Sequence, residues 1–334
     1  MTTRNKTFII LAASTLAVAS AGFFTWRNTN FLGPDSFCQN TLTTSQLEEV
    51  LGQGRLTQNS PDEGTSDVYD FHCSLQRASI LSERQSTLSI DLTPETAAFP
   101  FQTRTWKEPS NMSYLVDSFT GAVSETKGWA ILPDSCWEKI PMSTGNKSVP
   151  VVELNLQGGT SSRSAMAHTL VRVTQHVTET VGCSAQVSTT APVRLIGPTE
   201  SSERTDASNA CGLTGFRLPA GMLLQGKLRP GTERFTTSGG TTSACDLFLV
   251  GGDEITVTFS ASQDATIVDT IRRSGTMRDL ELAVCRNHEM YLGVSVNDPY
   301  ADLAGEDSVE RLTAAKSEAL QSFKAALMQQ KNCA

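Results

Sequence analysis

The sequence is short of the residues and motifs on which most enzyme chemistry depends. Histidine occurs four times in 334 residues, at positions 72, 168, 176 and 288. His168 and His176 are eight residues apart, about two helical turns, which is too far for both to bind one metal ion directly. The chain has no HExxH, no GxSxG, no P-loop and no GxGxxG motif. These absences leave metalloproteases, α/β-hydrolases and nucleotide-binding enzymes without support.

One catalytic motif is matched, but only in part. Ser124 and Lys127 fit S-x-x-K, the serine–lysine pair of penicillin-recognising enzymes. The companion motifs S-D-N and K-T-G do not occur in the chain. So short a pattern often arises by chance, and we therefore assign no catalytic residue. No cofactor and no metal ligand is predicted either.

Acidic residues are absent from the first 34 positions. In the whole chain 27 Lys and Arg stand against 35 Asp and Glu, which gives a net charge of −8. Arg4 and Lys6 are the only basic residues before Arg27, so the remaining 25 basic and 35 acidic residues give −10 from Arg27 onward. A surface this acidic repels phosphate groups, and nucleic acid is therefore not expected as a partner.

Charge is missing altogether from twenty consecutive positions, residues 7–26 (TFIILAASTLAVASAGFFTW). A helix of this length spans about 30 Å, the hydrocarbon thickness of a bilayer. Because Arg4 and Lys6 precede it, the positive-inside rule predicts a signal anchor. In this interpretation residues 1–6 are cytoplasmic, residues 7–26 cross the membrane, and the body of the protein is extracytoplasmic.

A cleaved signal peptide is the alternative for the same segment, and it would make the protein secreted. Ala17-Val18-Ala19 and Ala19-Ser20-Ala21 both fit a small-x-small cleavage site. Phe23, Phe24 and Trp26 prolong the apolar run beyond these sites and favour the anchor. No other stretch reaches eighteen apolar residues, so a single-pass protein is the most that the sequence predicts.

The eight cysteines are widely spaced, and no C-x-x-C pair occurs among them. This spacing does not suit a zinc or redox site, whereas an even number in an exported chain is typical of structural disulfides. The predicted disulfide residues are Cys38, Cys73, Cys136, Cys183, Cys211, Cys245, Cys285 and Cys333.

The intervals between these cysteines repeat along the chain. The first four are separated by 35, 63 and 47 residues, and the last four by 34, 40 and 48. The sequence Gln53-Gly54-Arg55-Leu56 is matched by Gln225-Gly226-Lys227-Leu228 at the same place in the second set. The pattern predicts a tandem duplication. Copy one covers residues 36–198, a polar linker covers 199–210, and copy two covers 211–334.

The duplication also predicts how the cysteines pair. Sequential pairs within each copy are Cys38–Cys73, Cys136–Cys183, Cys211–Cys245 and Cys285–Cys333. Each pair closes a loop of 34–48 residues, which stabilises the fold by roughly 3–4 kcal/mol in the chain-entropy model.

Apolar periodicity predicts a similar order of strands and helices in both copies. Ser45 and Glu48 fit a capping box at the start of a short helix that Gly52 stops. Longer helices are predicted over residues 161–181 and 306–330. The predicted strands are residues 67–75, 86–92, 128–132, 149–156 and 193–196 in copy one, and 244–250, 254–259, 280–285 and 291–296 in copy two.

These patterns predict the α+β class, as two tandem copies of an antiparallel sheet packed by helices and joined by disulfides, after an N-terminal transmembrane helix. Copy one contains about 23 extra residues, mostly within TRTWKEPSNMSYLVDSFTGAVSETKGW. We interpret this insertion as a surface loop, with a specific function as the alternative. The polar linker favours two copies that fold independently.

The opening of copy one resembles a family of exported actinobacterial domains of unknown function. The residues that carry the resemblance are Cys38, Leu42-Thr43, Leu51-Gly52 and Cys73. The stretch GAVSETKGWAILPDSC (121–136) is also similar to tandem-copy, membrane-anchored proteins of streptomycete-type bacteria. Many members of the family are lipoproteins, but this chain has no cysteine near the apolar run to carry a lipid. The resemblance supplies no catalytic residues.

Taken together, the sequence favours a non-enzymatic, membrane-anchored protein outside the cytoplasm. It is expected to bind an envelope protein or ligand that the sequence does not identify. The alternative is an envelope hydrolase whose active site matches no known motif.

Overall fold

The polypeptide folds around two antiparallel sheets, one of eight strands and one of six. The structure is a computed structural model. It describes residues 3–59, 71–79, 85–96, 108–140, 148–183, 193–198, 202–236, 239–252, 254–274, 280–305 and 309–333. The fold class is α+β.

The chain begins with helix α1 (Thr3–Asn28), which includes the charge-free stretch. Across the part of the chain whose structure is described, no helix combines the length and the hydropathy needed to cross a membrane.

Sheet one is formed by the first half of the chain, residues 36–198. A short ribbon, β1 (Ser36–Phe37) with β2 (Leu42–Thr43), and helix α2 (Thr44–Leu51) precede it. Its elements then follow as β3 (Arg55–Gln58), β4 (His72–Ala78), β5 (Ser86–Thr96), β6 (Ser113–Val116), β7 (Gly121–Val123), β8 (Lys127–Ile131), α3 (Asp134–Trp137), β9 (Ser148–Gln157), α4 (Arg163–Val181) and β10 (Arg194–Ile196). The strand order is β10-β6-β7-β8-β9-β5-β4-β3.

Sheet two is formed by the second half of the chain, residues 202–333. Its elements are β11 (Glu203–Arg204), β12 (Arg229–Phe235), β13 (Thr242–Val250), β14 (Ile255–Ser262), α5 (Ala265–Ser274), β15 (Leu280–Cys285), β16 (His288–Val296), α6 (Asp298–Ala304) and α7 (Val309–Gln330). The strand order is β11-β12-β13-β14-β16-β15.

Five neighbouring strands have the same order in both sheets. In sheet one they are β3-β4-β5-β9-β8, and in sheet two β12-β13-β14-β16-β15. If the five strands of each half are numbered in the order of the chain, both sheets place them side by side in the order first, second, third, fifth, fourth. All of these pairs are antiparallel. The predicted antiparallel sheets with a closing helix in each half are confirmed, but β3 and β12, the first of the five strands in each half, are not among the predicted strands.

The cysteines are joined in the sequential pairs that the spacing predicts: Cys38–Cys73, Cys136–Cys183, Cys211–Cys245 and Cys285–Cys333. The first bond of each half reaches the second of the five shared strands. The second bond of each half joins the end of the closing helix to the fourth shared strand. In the first half the cysteine at that strand lies shortly after β8, and in the second half it is the last residue of β15. Each half is thus crosslinked at the second and at the fourth strand of the shared order.

Each sheet covers its own apolar core with helices. In the first half α2 and α4 pack on the sheet, and Leu88, Ile90 and Leu170 are completely buried. In the second half Phe216, Phe259 and Phe323 form an aromatic group whose ring centroids lie 4.9–5.5 Å apart. Edge-to-face packing of this kind adds to the stabilisation from burial.

A third apolar cluster is shared by the two halves. Ile267, Val268 and Ile271 of α5 belong to it, together with Trp129 and Ile131 of β8 and other buried residues of the first half. In return, the 3-10 turn Pro109–Asn111, which follows β5, lies on β13 of sheet two. The connection after the third shared strand of each half therefore packs against the other half.

Some local predictions differ from the structure. The capping box of α2 is made by Thr43 and Gln46, because Thr43 is the last residue with extended backbone before the helix. The predicted surface loop contains β6 and β7, which extend sheet one. Part of the predicted linker is β11, which pairs with β12. Residues 67–70, 306–308 and 334 of the predicted elements lie outside the described residues, as do residues 199–201 of the linker.

Candidate functional site

Strand β15 lies at one edge of sheet two and pairs only with β16 among the described residues. It has six residues, whereas the edge strands β10 and β11 have three and two. The remaining edge strand, β3, has four residues and is covered by the segment after α1, whose Asn30 accepts a hydrogen bond from the Leu56 amide. Exposed edges are usually kept short or covered, and β15 is neither.

The turn between β15 and β16 determines which backbone groups of β15 face outward. It consists of Arg286 and Asn287, both in the left-handed region with φ of 51° and 67°. A two-residue turn of this kind closes on a hydrogen-bonded pair, here Cys285 and His288. Because such pairs alternate, the amide and carbonyl groups of Leu280, Leu282 and Val284 point away from β16.

Two apolar side chains stand beside these outward backbone groups. Leu282 is 37% exposed and Val284 is 57% exposed. The alternating residues Ala283 and Cys285, whose side chains lie on the opposite face of the strand, are buried in the core of the second half. A strand that offers both hydrogen-bonding groups and apolar side chains has the chemistry of a strand acceptor.

The rest of the strand is held firmly. Cys285 is bonded to Cys333 after α7. Glu281 pairs with Lys324 and accepts a hydrogen bond from Gln321 at 2.7 Å, both from α7. A preorganised strand loses little conformational entropy when another strand joins it, so this rigidity favours binding.

The other sheet shows what this edge can accept. Strand β8 has the position in sheet one that β15 has in sheet two, next to the fifth strand of the shared order. Its outer side is paired with β7, with Ala122 opposite Trp129 and Val123 opposite Gly128. In the first half β7 thus pairs with the edge that, in the second half, has no further strand among the described residues.

The histidines do not form a joint site. His72 pairs with Asp91 on the exposed side of sheet one, and His168 and His288 are exposed. His176 lies against Phe71, with ring centroids 6.1 Å apart. Burial, and then the charge of Arg172, lowers the pKa of His176. Within the described ranges, no group of three or more His, Cys, Asp or Glu residues could hold a metal ion.

Ser124 has a structural role in the turn between β7 and β8. Its hydroxyl oxygen accepts hydrogen bonds from the amides of Thr126 and Lys127, at 3.3 and 3.0 Å. It is 4% exposed, whereas Lys127 is exposed at the start of β8. The S-x-x-K match is therefore part of a hairpin turn.

A buried carboxylate marks the contact between the two halves. Asp246 of β13 is 1% exposed and accepts hydrogen bonds from the Ser110 hydroxyl, from the Ser110 amide at 3.3 Å, and from the Thr258 hydroxyl. Burial raises the pKa of Asp246 despite these hydrogen bonds. The neighbouring Tyr114 is also buried, and burial, with the charge of Asp246, raises its pKa well above 10.0.

The sequence predicts the strand 280–285 with the observed bounds, but it does not reveal that the strand is an edge. Its sequence, LELAVC, is apolar at every position except Glu281, which is typical of a strand covered on both sides. The signal that could have found the site is the contrast in length between the two halves, since among the described strands β6 and β7 of the first half have no counterpart in the second.

Comparisons with protein-family models, with curated proteins and with solved structures found no match to this chain.

Proposed function

We propose that this protein is a membrane-anchored, extracytoplasmic binding protein without catalytic activity, and that the free edge of β15 receives an extended segment of an envelope protein. The segment adds as a seventh strand to sheet two and binds through main-chain hydrogen bonds to Leu282 and Val284. Apolar side chains at alternate positions of the segment would pack beside those of Leu282 and Val284.

The observation that carries this proposal is the difference between equivalent edges. Both halves build the same five-strand order, but only β8 has its outer partner within the described chain. An open, six-residue apolar edge invites aggregation unless something covers it. A binding partner that supplies the missing strand accounts for its retention.

The remaining parts of the proposal have other support. Anchoring through residues 7–26, with the body outside the cytoplasm, is supported by the charge-free stretch and by four disulfide bonds, which persist in oxidising compartments. A tandem duplication is supported by the common strand order. Membership of the exported actinobacterial family is supported by the paired Cys38 and Cys73 of its opening motif.

Photo-crosslinking in the host envelope tests the binding edge. A photoreactive amino acid at position 284 should form a specific protein adduct, and one at Val250, which is 45% exposed at the end of β13, should not. Leu282→Pro removes one outward amide without breaking the pairing of β15 with β16, and it should abolish the adduct. The matched variant Leu282→Ala keeps the amide and should retain most of the adduct.

The two variants separate strand addition from simple apolar contact. If Leu282→Pro leaves the adduct unchanged, or if Leu282→Ala removes it as completely as proline does, main-chain pairing at β15 is not the binding mode. Retained thermal stability of both variants shows that the sheet itself is intact.

A further inference from the structure

A tight turn directly after α1 carries two exposed apolar residues at its tip. The amide of Gly33 donates to the carbonyl of Asn30 at 2.8 Å, so Phe31 and Leu32 are the central residues of a β-turn. Phe31 is 62% exposed and Leu32 is 80% exposed. Such positions usually hold Pro, Asn, Asp or Gly, so two large apolar side chains here are unusual.

The turn also holds Leu32 in a costly conformation. Its φ is 60°, in the left-handed region that bulky residues avoid. A Cβ at Gly33 would lie 2.1 Å from Oδ1 of Asn30, so a larger residue there would displace the Asn30 side chain from its hydrogen bonds with Pro34 and Thr44. Strain kept at an exposed position indicates that the position has a use.

The body fixes this turn relative to the end of α1. The side chain of Asn28, the last residue of α1, is 7% exposed and accepts a hydrogen bond from Ser79 at 2.7 Å. Asn30 donates to the carbonyl of Pro34 at 2.9 Å and to the hydroxyl of Thr44 at 3.1 Å. The helix end and the turn are therefore both attached to the first half of the protein.

Aromatic and basic side chains complete the surface around this turn. The guanidinium of Arg55 lies 5.5 Å from the ring centroid of Trp26 and donates to the carbonyl of Phe31 at 3.0 Å. The guanidinium of Arg27 lies 6.0 Å from the same ring. We name Trp26, Arg27, Phe31, Leu32 and Arg55 the collar.

The charge of the collar contrasts with that of the body. Its two arginines belong to a body with a net charge of −10 from Arg27 onward, and no acidic residue precedes Asp35. Tryptophan and arginine beside exposed apolar side chains are typical of the interface between water and lipid, where the apolar groups enter the acyl boundary and cations meet anionic headgroups. Nucleic acid shares the anionic chemistry but offers no apolar layer for Phe31 and Leu32.

We propose that the collar is a second membrane contact, in which Phe31 and Leu32 insert into the phospholipid interface while Arg27 and Arg55 bind anionic headgroups. This inference deepens the proposed anchoring and rests on it. Because the collar is attached to both α1 and β3, its insertion holds the first half against the bilayer in a fixed orientation.

Tryptophan quenching by brominated lipid tests the collar in the full chain. The protein is reconstituted into vesicles of phosphatidylcholine and phosphatidylglycerol, with and without brominated acyl chains. In a Trp26→Phe background, Leu32→Trp should be quenched at least about twofold more than Val250→Trp, since interfacial groups lie ~5–10 Å into the headgroup and acyl boundary. Val250 is the matched control because it is apolar and exposed in sheet two.

A second measurement leaves Leu32 native. Wild-type protein should lose more emission to brominated lipid than Trp26→Phe, because Trp26 belongs to the collar. Equal quenching of Leu32→Trp and Val250→Trp, or no difference between wild type and Trp26→Phe, would overturn the proposal.

Flotation of the same vesicles separates this inference from the anchor. Protein that fails to float with the vesicles contradicts anchoring itself, and with it the collar. Protein that floats without selective quenching contradicts the collar alone.

Discussion

Asp246 is the residue at which the two halves are most tightly joined by polar contacts. Its two oxygens accept from Ser110 in the first half and from Thr258 in its own sheet. The groups that face it are thus hydroxyl and amide donors, with Tyr114 and Glu108 contributing at longer range. Among the described residues no cation contributes to the pKa of Asp246. A buried carboxylate is expensive to ionise, and the hydrogen bonds only partly offset that cost.

Because of this environment, the free energy of unfolding should depend on pH, and the direction of the dependence follows from the direction of the pKa shift. The pKa of Asp246 is raised above 3.8 by burial, so the folded chain holds this proton more tightly than the unfolded chain does. The stabilisation is complete below the ordinary carboxyl pKa and is lost as the pH rises through the raised value. The free energy of unfolding of wild type relative to Asp246→Asn should therefore fall as the pH rises from about 4 toward 7. Urea unfolding of both proteins across this range measures the difference.

Asp206 provides a control of opposite sign. Hydrogen bonds from Asn209 and then Ser208 lower the pKa of this exposed carboxyl to about 2. Relative to Asp206→Asn, wild type should gain stability as the pH rises from about 2 to 4. The assignment to Asp246 fails if Asp246→Asn gives a difference curve that is flat between pH 4 and 7, or one that rises.

At the scale of elements, α5 contributes three residues of the second half to the apolar cluster that the halves share. Its apolar residues Ile267, Val268 and Ile271 lie in the shared cluster, and Arg273 lies over the ring of Trp137 at 5.3 Å. Just before the helix, Asp264 accepts a hydrogen bond from Thr120 at 2.8 Å. The helix of the second half is thus built into the surface of the first.

Ile271→Ala should destabilise the first half although Ile271 belongs to the second. The expected loss is about 2–5 kcal/mol, because the side chain is completely buried and leaves a cavity. All four tryptophans, residues 26, 106, 129 and 137, lie in the first 198 residues. Tryptophan fluorescence therefore reports unfolding of the first half, and its transition should shift to lower denaturant concentration.

An exposed leucine gives the matched control for this variant. Leu303→Ala in α6 removes a side chain that is 39% exposed and lies outside the shared cluster. It should leave the tryptophan transition nearly unchanged. An Ile271→Ala transition that coincides with wild type would mean that the shared cluster does not couple the halves.

The sequence predicts those elements whose signal is local. The strand 280–285 has the predicted bounds, and helix 161–181 begins two residues later than predicted because Ser162 is its N-cap. Helix α5 was not predicted, since its ten residues are too few to establish a periodicity. Strands β6 and β7 were missed because their seven residues become strands only by pairing within the sheet.

The candidate site depends on non-local information that periodicity does not contain. An edge strand differs from a central one only in what lies beside it, and that depends on strand order. The burial that raises the pKa of Asp246 likewise depends on packing against the segment around Ser110, which lies 136 residues away in the chain. The cysteines are the exception. Because their spacing repeats along the chain, the sequence alone predicts which of these distant residues form disulfide bonds.

At the scale of the whole molecule, the shared cluster counts against the expectation of two independent halves. The sheets remain separate, with one isolated bridge between Pro198 and Thr236 among the described residues. Their contact is made instead by the crossing connections. Each half retains two disulfide bonds and its own core, but each also covers an apolar surface of the other.

The excised segment 202–334 should therefore be less stable than the same residues in the full chain. Oxidised, it keeps the bonds of Cys211 and Cys285 but exposes the apolar side of α5 and leaves Asp246 without Ser110. We expect it to melt at a lower temperature or to self-associate, as measured by circular dichroism and size-exclusion chromatography. A monomeric fragment that melts cooperatively at the temperature of the full chain would restore the independent-domain interpretation.

The sequential pairing of the cysteines has a consequence for how the protein matures. A polypeptide that is translocated with its earlier residues emerging first exposes both members of each pair before the first cysteine of the next pair arrives. An oxidant that joins thiols in their order of appearance produces the native set directly. We therefore expect the folding yield of such a chain to respond to the supply of oxidant and not to a disulfide isomerase.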